Sequence, residues 1–147
     1  MTASDTIDAN RRTVARFLAG THGPDLAGLA VIDETVSPAI VCHGFPGGDP
    51  VDRESYKAFF RTFRQAFDGM AFTIHVTVAD EAFVAVRWRV EVDHVGAFAG
   101  VEPDGRRIGF DGMALYRMER GLIAETWLHI DELQLLAGIG AIPALAA

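Results

Sequence analysis

The sequence predicts an α+β fold, with helices in its first half, hairpin-linked strands in its second, and a single domain over 1–147. Three observations carry that prediction. Apolar residues recur at three- and four-residue steps up to about residue 67. Beyond Gly69 the period drops to two, and turn residues separate the runs. Nothing repeats and no stretch has linker composition, so helices belong on one face of a curved antiparallel sheet.

Taken in order, Ser4 or Asp5 is placed to cap a first helix running to about Ala19. Ile7, Val14, Phe17 and Leu18 form its apolar stripe, and Gly20 is its stop. Gly23-Pro24 precedes a short helix around 25–30, and Pro38 leads into a strand near 39–43. Residues 44–50 form a loop rich in glycine and proline. Asp52 caps a third helix with Tyr56, Phe59, Phe60, Phe63 and Phe67 on one face, and with Lys57, Arg61, Arg64 and Gln65 elsewhere around it.

In the strand half, Phe72, Ile74, Val76 and Val78 alternate with Thr73, His75 and Thr77, and Asp80-Glu81 makes a turn. Next, Val84, Val86, Trp88, Val90 and Val92 alternate with Ala85, Arg87, Arg89, Glu91 and Asp93. That pattern gives a strand one dry face and one wet, ion-paired face. A loop over 95–103 ends at the Asp104-Gly105 turn. Strands at 106–118 and 122–129 flank a turn at 119–121. A short helix around 132–137 precedes an apolar tail.

Composition narrows function. The chain has 147 residues, 20 acidic against 13 basic, for a net charge of −7, and its one lysine is Lys57. Such a surface repels phosphate backbones, which argues against nucleic acid as a partner. No apolar run reaches the roughly 18 residues of a membrane span. The start lacks a signal-peptide pattern and Cys42 is the single cysteine, so a cytoplasmic location is expected. Hydrophobic residues make up 50% of the chain. That surplus points to a lined cavity or a buried subunit interface beyond an ordinary core.

Several motifs then fall in sequence. His94-Val95-Gly96 is followed by a loop from Gly100 through Pro103-Asp104-Gly105-Arg106. Gly121, Ile123, Glu125, Trp127 and Asp131 are spaced as G-x-I-x-E-x-W-x-x-x-D. Leu135, Leu136, Gly140 and Pro143 are spaced as L-L-x-x-x-G-x-x-P. With the Phe-rich third helix and His43-Gly44, this pattern resembles the SnoaL-like polyketide cyclase (ester cyclase) family over nearly the whole chain. The resemblance implies a cone of curved sheet closed by helices and holding an apolar pocket, the fold shared with ketosteroid isomerase and scytalone dehydratase. It also implies a homodimer in many cases and chemistry with no metal or organic cofactor. The family's cyclases take a proton next to a carbonyl and close a ring by an aldol step. Aligned from Gly121, their aspartate base falls on Leu128 and its assisting histidine on Ala114, neither of which moves a proton.

Acid/base work beside a carbonyl needs a carboxylate or imidazole with a tuned pKa, and a donor aimed at the developing oxyanion. Asp131, His129 and Asp111 are the catalytic candidates, and His43, His94, Trp88, Tyr116, Trp127 and Phe63 are candidate substrate contacts. Period-two geometry puts Asp131, His129 and Trp127 on one face. Asp131 equally fits the N-cap of the following helix. Asp111 equally fits a salt bridge with Arg87 or Arg89, and Asp93 and Glu91 belong to the ion-paired face. His22 and His75 read as surface residues. No His and carboxylate spacing matches a metal site, and Ser55 and Cys42 lack a histidine motif for covalent catalysis. Three functions remain open. They are cofactor-independent cyclisation or isomerisation of a polyketide-like carbonyl compound, hydroxylation of an aromatic polyketide without cofactor, and a non-catalytic dimer that binds a small apolar or aromatic molecule.

Overall fold

The computed structural model describes residues 1–143; the end of the apolar tail lies outside them. Helix α1 spans Ala3–Thr21. Its cap is Thr2 rather than Ser4 or Asp5: Thr2 Oγ1 accepts from the Asp5 amide at 3.1 Å, and the Asp5 carboxylate accepts from the Thr2 amide at 3.1 Å. Gly20 does not stop the helix. It lies inside α1 because the chain returns across it, so closely that a Cβ on Gly28 would sit 2.3 Å from the Gly20 carbonyl oxygen. Asp25 caps a 3₁₀ turn over Leu26–Ala30 by accepting from the Ala27 amide. That turn runs straight into helix α2, Val31–Thr35, too short for sequence periodicity to reveal.

Helix α3, Arg53–Ala66, starts at Asp52 as the sequence predicts, with Ser55 completing a reciprocal cap. Lys57, off the aromatic face of α3, is buried, its ammonium 2.8 Å from Asp33 Oδ1, which ties α3 to α2.

The five strands are β1 Val36–His43, β2 Phe67–Ala79, β3 Phe83–His94, β4 Arg107–Glu119 and β5 Leu122–Ile130. They form one sheet in the order β1-β5-β4-β3-β2. Four strands pair antiparallel as expected, and β1 adds at the edge parallel to β5. Register shifts within β2, between β4 and β5, and along β1 bend the sheet. One of them corrects the sequence reading of β2. A bulge between Ile74 and Val76 leaves Ile74 opposite Trp88 but sets Val76 opposite Arg87 and Val78 opposite Ala85. The last two valines therefore lie on the outer face, half-exposed.

On the inner face Val84, Val86, Trp88, Val90, Phe110 and Tyr116 meet Val14, Phe17 and Leu18 of α1 and Tyr56 and Phe60 of α3. Phe17 sits at the centre of this layer. Its ring centroid is 5.7 Å from Tyr56, 5.9 Å from Phe60 and 5.8 Å from Tyr116. Helix α4, Glu132–Gly138, folds back over β4, and Leu135 and Ile139 join the core.

Candidate functional site

The helices do not fill the concavity of the sheet. A cavity of about 130 Å³ remains between α3, the end of α1 and the inner faces of β3, β4 and β5. Its wall is mostly aromatic and aliphatic, with Phe59, Phe60 and Phe63 from α3 facing Trp88, Phe110 and Leu128 from the sheet. Gly112 lets the Trp88 indole lie flat over β4, since a Cβ there would be 2.8 Å from Trp88 Nε1. The polar groups in the wall are few: Thr21, His22, Tyr56, Thr62, Arg64, Tyr116 and Thr126. An apolar lining with a few convergent polar groups is the usual composition of a small-molecule site.

His22 is the imidazole in that wall. Its Nδ1 lies 3.1 Å from the Leu18 carbonyl and 2.9 Å from Thr21 Oγ1, whose own hydroxyl donates to the Phe17 carbonyl at 2.9 Å. Both neighbours of Nδ1 are thus acceptors, so Nδ1 carries the proton and Nε2 keeps its lone pair. The ring stacks on Phe72 at 4.1 Å and meets the Phe60 ring edge-on. Burial lowers its pKa to about 4; the Arg64 charge pushes the same way and the Leu18 hydrogen bond opposes both. Arg64 is held in place by donating to the Thr21 carbonyl at 2.9 Å and to the Gly23 carbonyl, which caps the end of α1.

The tyrosines are buried acids kept neutral. Desolvation raises the Tyr56 hydroxyl well above its usual range, with Tyr116 adding to the effect, and desolvation alone raises Tyr116. Thr126 Oγ1 is buried beside the Tyr56 hydroxyl, a contact too loose for a full hydrogen bond that still opposes the rise in the Tyr56 pKa.

Of the residues singled out from sequence, Trp88, Tyr116 and Phe63 line this cavity. Trp127, His129 and Asp131 do share a parity on β5 and its continuation, but Thr126, Leu128 and Ile130 take the inward positions, so that shared face is the outer one. Trp127 stacks there on His43 at 5.2 Å, and His43 Nε2 is 2.7 Å from Glu125 Oε2. His43 therefore belongs to the outer face too. His129 is exposed, and Asp131 is the N-cap of α4, accepting from the Gln134 amide at 2.9 Å. Asp111 lies opposite Arg89 on the outer face, 3.4 Å from its guanidinium. His94 is fully buried and stacked on Phe67, outside the cavity lining, with Nε2 unpartnered.

Among the polar wall groups the sequence singles out Tyr116 alone; Thr21, His22, Tyr56, Thr62, Arg64 and Thr126 are not among its candidate site residues. The missed signal for His22 was the α1 stripe itself. Val14, Phe17, Leu18 and Thr21 are buried at helical spacing, and His22 follows Leu18 by one turn. Ending the helix near Ala19 placed His22 in solvent.

Since Asp131 works as a cap, Asp131→Ala is expected to lower stability by about 1 kcal/mol, measured by urea denaturation. Ligand affinity at the cavity should stay unchanged; a loss there would mean that Asp131 acts on the site.

A family model described as SnoaL-like polyketide cyclase matches residues 8–139. No curated protein matches the chain. Among solved structures, a candidate SnoaL-like polyketide cyclase from Jannaschia sp. CCS1 superposes with a TM-score of 0.84 at 22% identity, covering 97% of this chain and 99% of that one. AclR from Streptomyces galilaeus, a candidate hydroxylase, gives a TM-score of 0.81 at 24% identity over 99% of this chain and 87% of its own. IdmH from Streptomyces antibioticus, a candidate polyketide cyclase, gives 0.74 at 27% identity over 89% and 98%. The motif order, the cone of sheet and helices, and a family match over almost the full length agree, and the chain belongs to the SnoaL-like polyketide cyclase family.

Proposed function

We propose that the protein binds a small polyketide-like carbonyl compound in the cone. There it carries out acid/base chemistry of the aldol-cyclisation or isomerisation kind, without a metal or organic cofactor. The observation that carries this reading is the cavity itself, an aromatic chamber whose wall holds a neutral imidazole and hydroxyl donors. Inside such a chamber a hydroxyl aimed at a developing oxyanion is worth far more than in water. Leu128 and Ala114, both in the wall, favour a second reading. With no carboxylate at the position of the family's base, the pocket suits hydroxylation of an electron-rich aromatic ring that itself reacts with dioxygen.

The protein works as a homodimer in this proposal, paired through the outer face of the sheet. Register aligns Val78, Ala85, Leu115, Trp127 and His43 in one row across all five strands, with Val76, Arg87, Met113 and His129 in the next. Val76 and Met113 are each 50% exposed, and exposed apolar side chains aligned this way support pairing of a second copy on this face.

One experiment addresses both statements. A native mass spectrum of protein purified from its own host is expected at twice the chain mass with a small aromatic or polyketide molecule bound. The released molecule, returned to the protein, should be converted. Binding without conversion would reduce the protein to a binding module, and an empty monomer would contradict both proposals.

A further inference from the structure

We infer that His22 is the recognition residue of the cavity, and that it selects a neutral one-ring head group bearing a phenolic or enolic O–H, which donates to Nε2. The inference rests on the reading of the cavity as a ligand site and names the ligand's chemistry there.

Four observations combine. The size of the space is the first: about 130 Å³ is close to the roughly 150 Å³ cavity that accommodates benzene, so one six-membered ring fills it. A larger molecule would leave its remainder outside the chamber. Next comes the direction of the histidine. Nδ1 is committed to α1 through Leu18 and Thr21, which leaves Nε2 as the ring nitrogen available to a ligand.

The third is the surroundings. His22 is packed by Phe60 of α3, Phe72 of β2 and Trp88 of β3, none of which can donate to or accept from Nε2 in the ring plane except through the Trp88 N–H. The charged group nearest to it in the wall is Arg64, and the other titratable wall groups are Tyr56 and Tyr116. Arg64 spends two donors on the Thr21 and Gly23 carbonyls. The fourth is charge state: the imidazole stays neutral above about pH 4, so it accepts a hydrogen bond and does not attract an anion. A ligand that brings a hydroxyl satisfies the lone pair; a methyl ether of the same ring leaves it unpaired and desolvated, which is costly.

The test uses phenol, anisole and toluene as probes at pH 7, on full-length protein labelled with ¹⁵N-histidine. Phenol should bind about fivefold to tenfold more tightly than anisole, as expected for one neutral hydrogen bond. The His22 Nε2 resonance should shift with phenol and stay still with anisole. In His22→Phe the two affinities should become equal, whereas Thr126→Val should keep the preference. The Nε2 shift in the unaltered protein decides the matter even if His22→Phe does not fold. Equal affinities with a static Nε2 signal would overturn the inference and leave the cavity reading intact. A preference that vanishes in Thr126→Val and survives in His22→Phe would assign the role to Thr126 and overturn it as well. Failure of all three rings to bind would contradict the ligand-site reading itself.

Discussion

Phe17→Ala is expected to destabilise the protein by about 4 kcal/mol, the range for deleting a fully buried phenyl ring. The ring is 1% exposed and in contact range of three aromatic rings carried by two separate elements, Tyr56 and Phe60 on α3 and Tyr116 on β4. Removing it deletes apolar burial and also the tilted and edge-to-face pairings, each worth about 1 kcal/mol beyond area. The void would open beside the cavity, where the wall has little behind it to collapse inward. In a chain of this length the melting temperature should fall by about 10 °C. Urea denaturation would measure the change. A loss under about 1.5 kcal/mol would show that α1 is not anchored through this ring.

Stability should also fall steeply as pH drops from 6.5 to 4, by about 3 kcal/mol, because of His22 alone. The sign follows from proton uptake. In the unfolded chain the imidazole binds a proton near its ordinary pKa of 6.5, while in the folded protein burial delays that to about 4. Between these values the unfolded state holds more protons, so lowering the pH favours it. The hydrogen-bonded carboxylates act in a lower window. Asp5, Asp52 and Asp80 are held down by backbone amides, Asp33 by Lys57, Asp104 by Arg106 and Glu125 by His43 and Arg117. Their stabilisation is present above the unfolded carboxylate range and is lost only as pH falls below about 4. Unfolding free energies at pH 7, 6, 5 and 4.5 should therefore decline in the unaltered protein and stay nearly flat in His22→Phe. A parallel decline in both would assign the effect to another group.

The sequence made the sheet legible because β3 and β4 are regular: buried residues alternate without interruption from Val84 to His94 and from Ile108 to Met118. Asp52 and Asp80 announced their cap and turn with local hydrogen bonds that depend on nothing distant. What stayed hidden depends on partners far along the chain. The bulge that turns Val76 and Val78 outward is set by pairing with β3, and no feature of β2 alone records it. Alternation placed Trp127, His129 and Asp131 on one face correctly; which face that was depended on how the helices close over the sheet. The same limit applied to the candidate site. Aromatic wall residues such as Trp88, Tyr116 and Phe63 were legible as apolar positions on regular elements. His22 was not, because its burial depends on an extra half-turn of α1 stabilised by Arg64 from another helix.

The parallel placement of β1 beside β5 also sets an order of events during synthesis. Val36 finds its neighbour at Ile123, so the first strand has no partner in the sheet until β5 has been made. β2, β3 and β4 can pair as local hairpins as soon as they are made, whereas closing the sheet against β1 requires the longest loop in the molecule. Until then Val36, Ile40 and Cys42, buried in the finished protein, are open to other chains. Docking β1 onto β5 is thus the pairing in this sheet that carries the largest loop-closure cost.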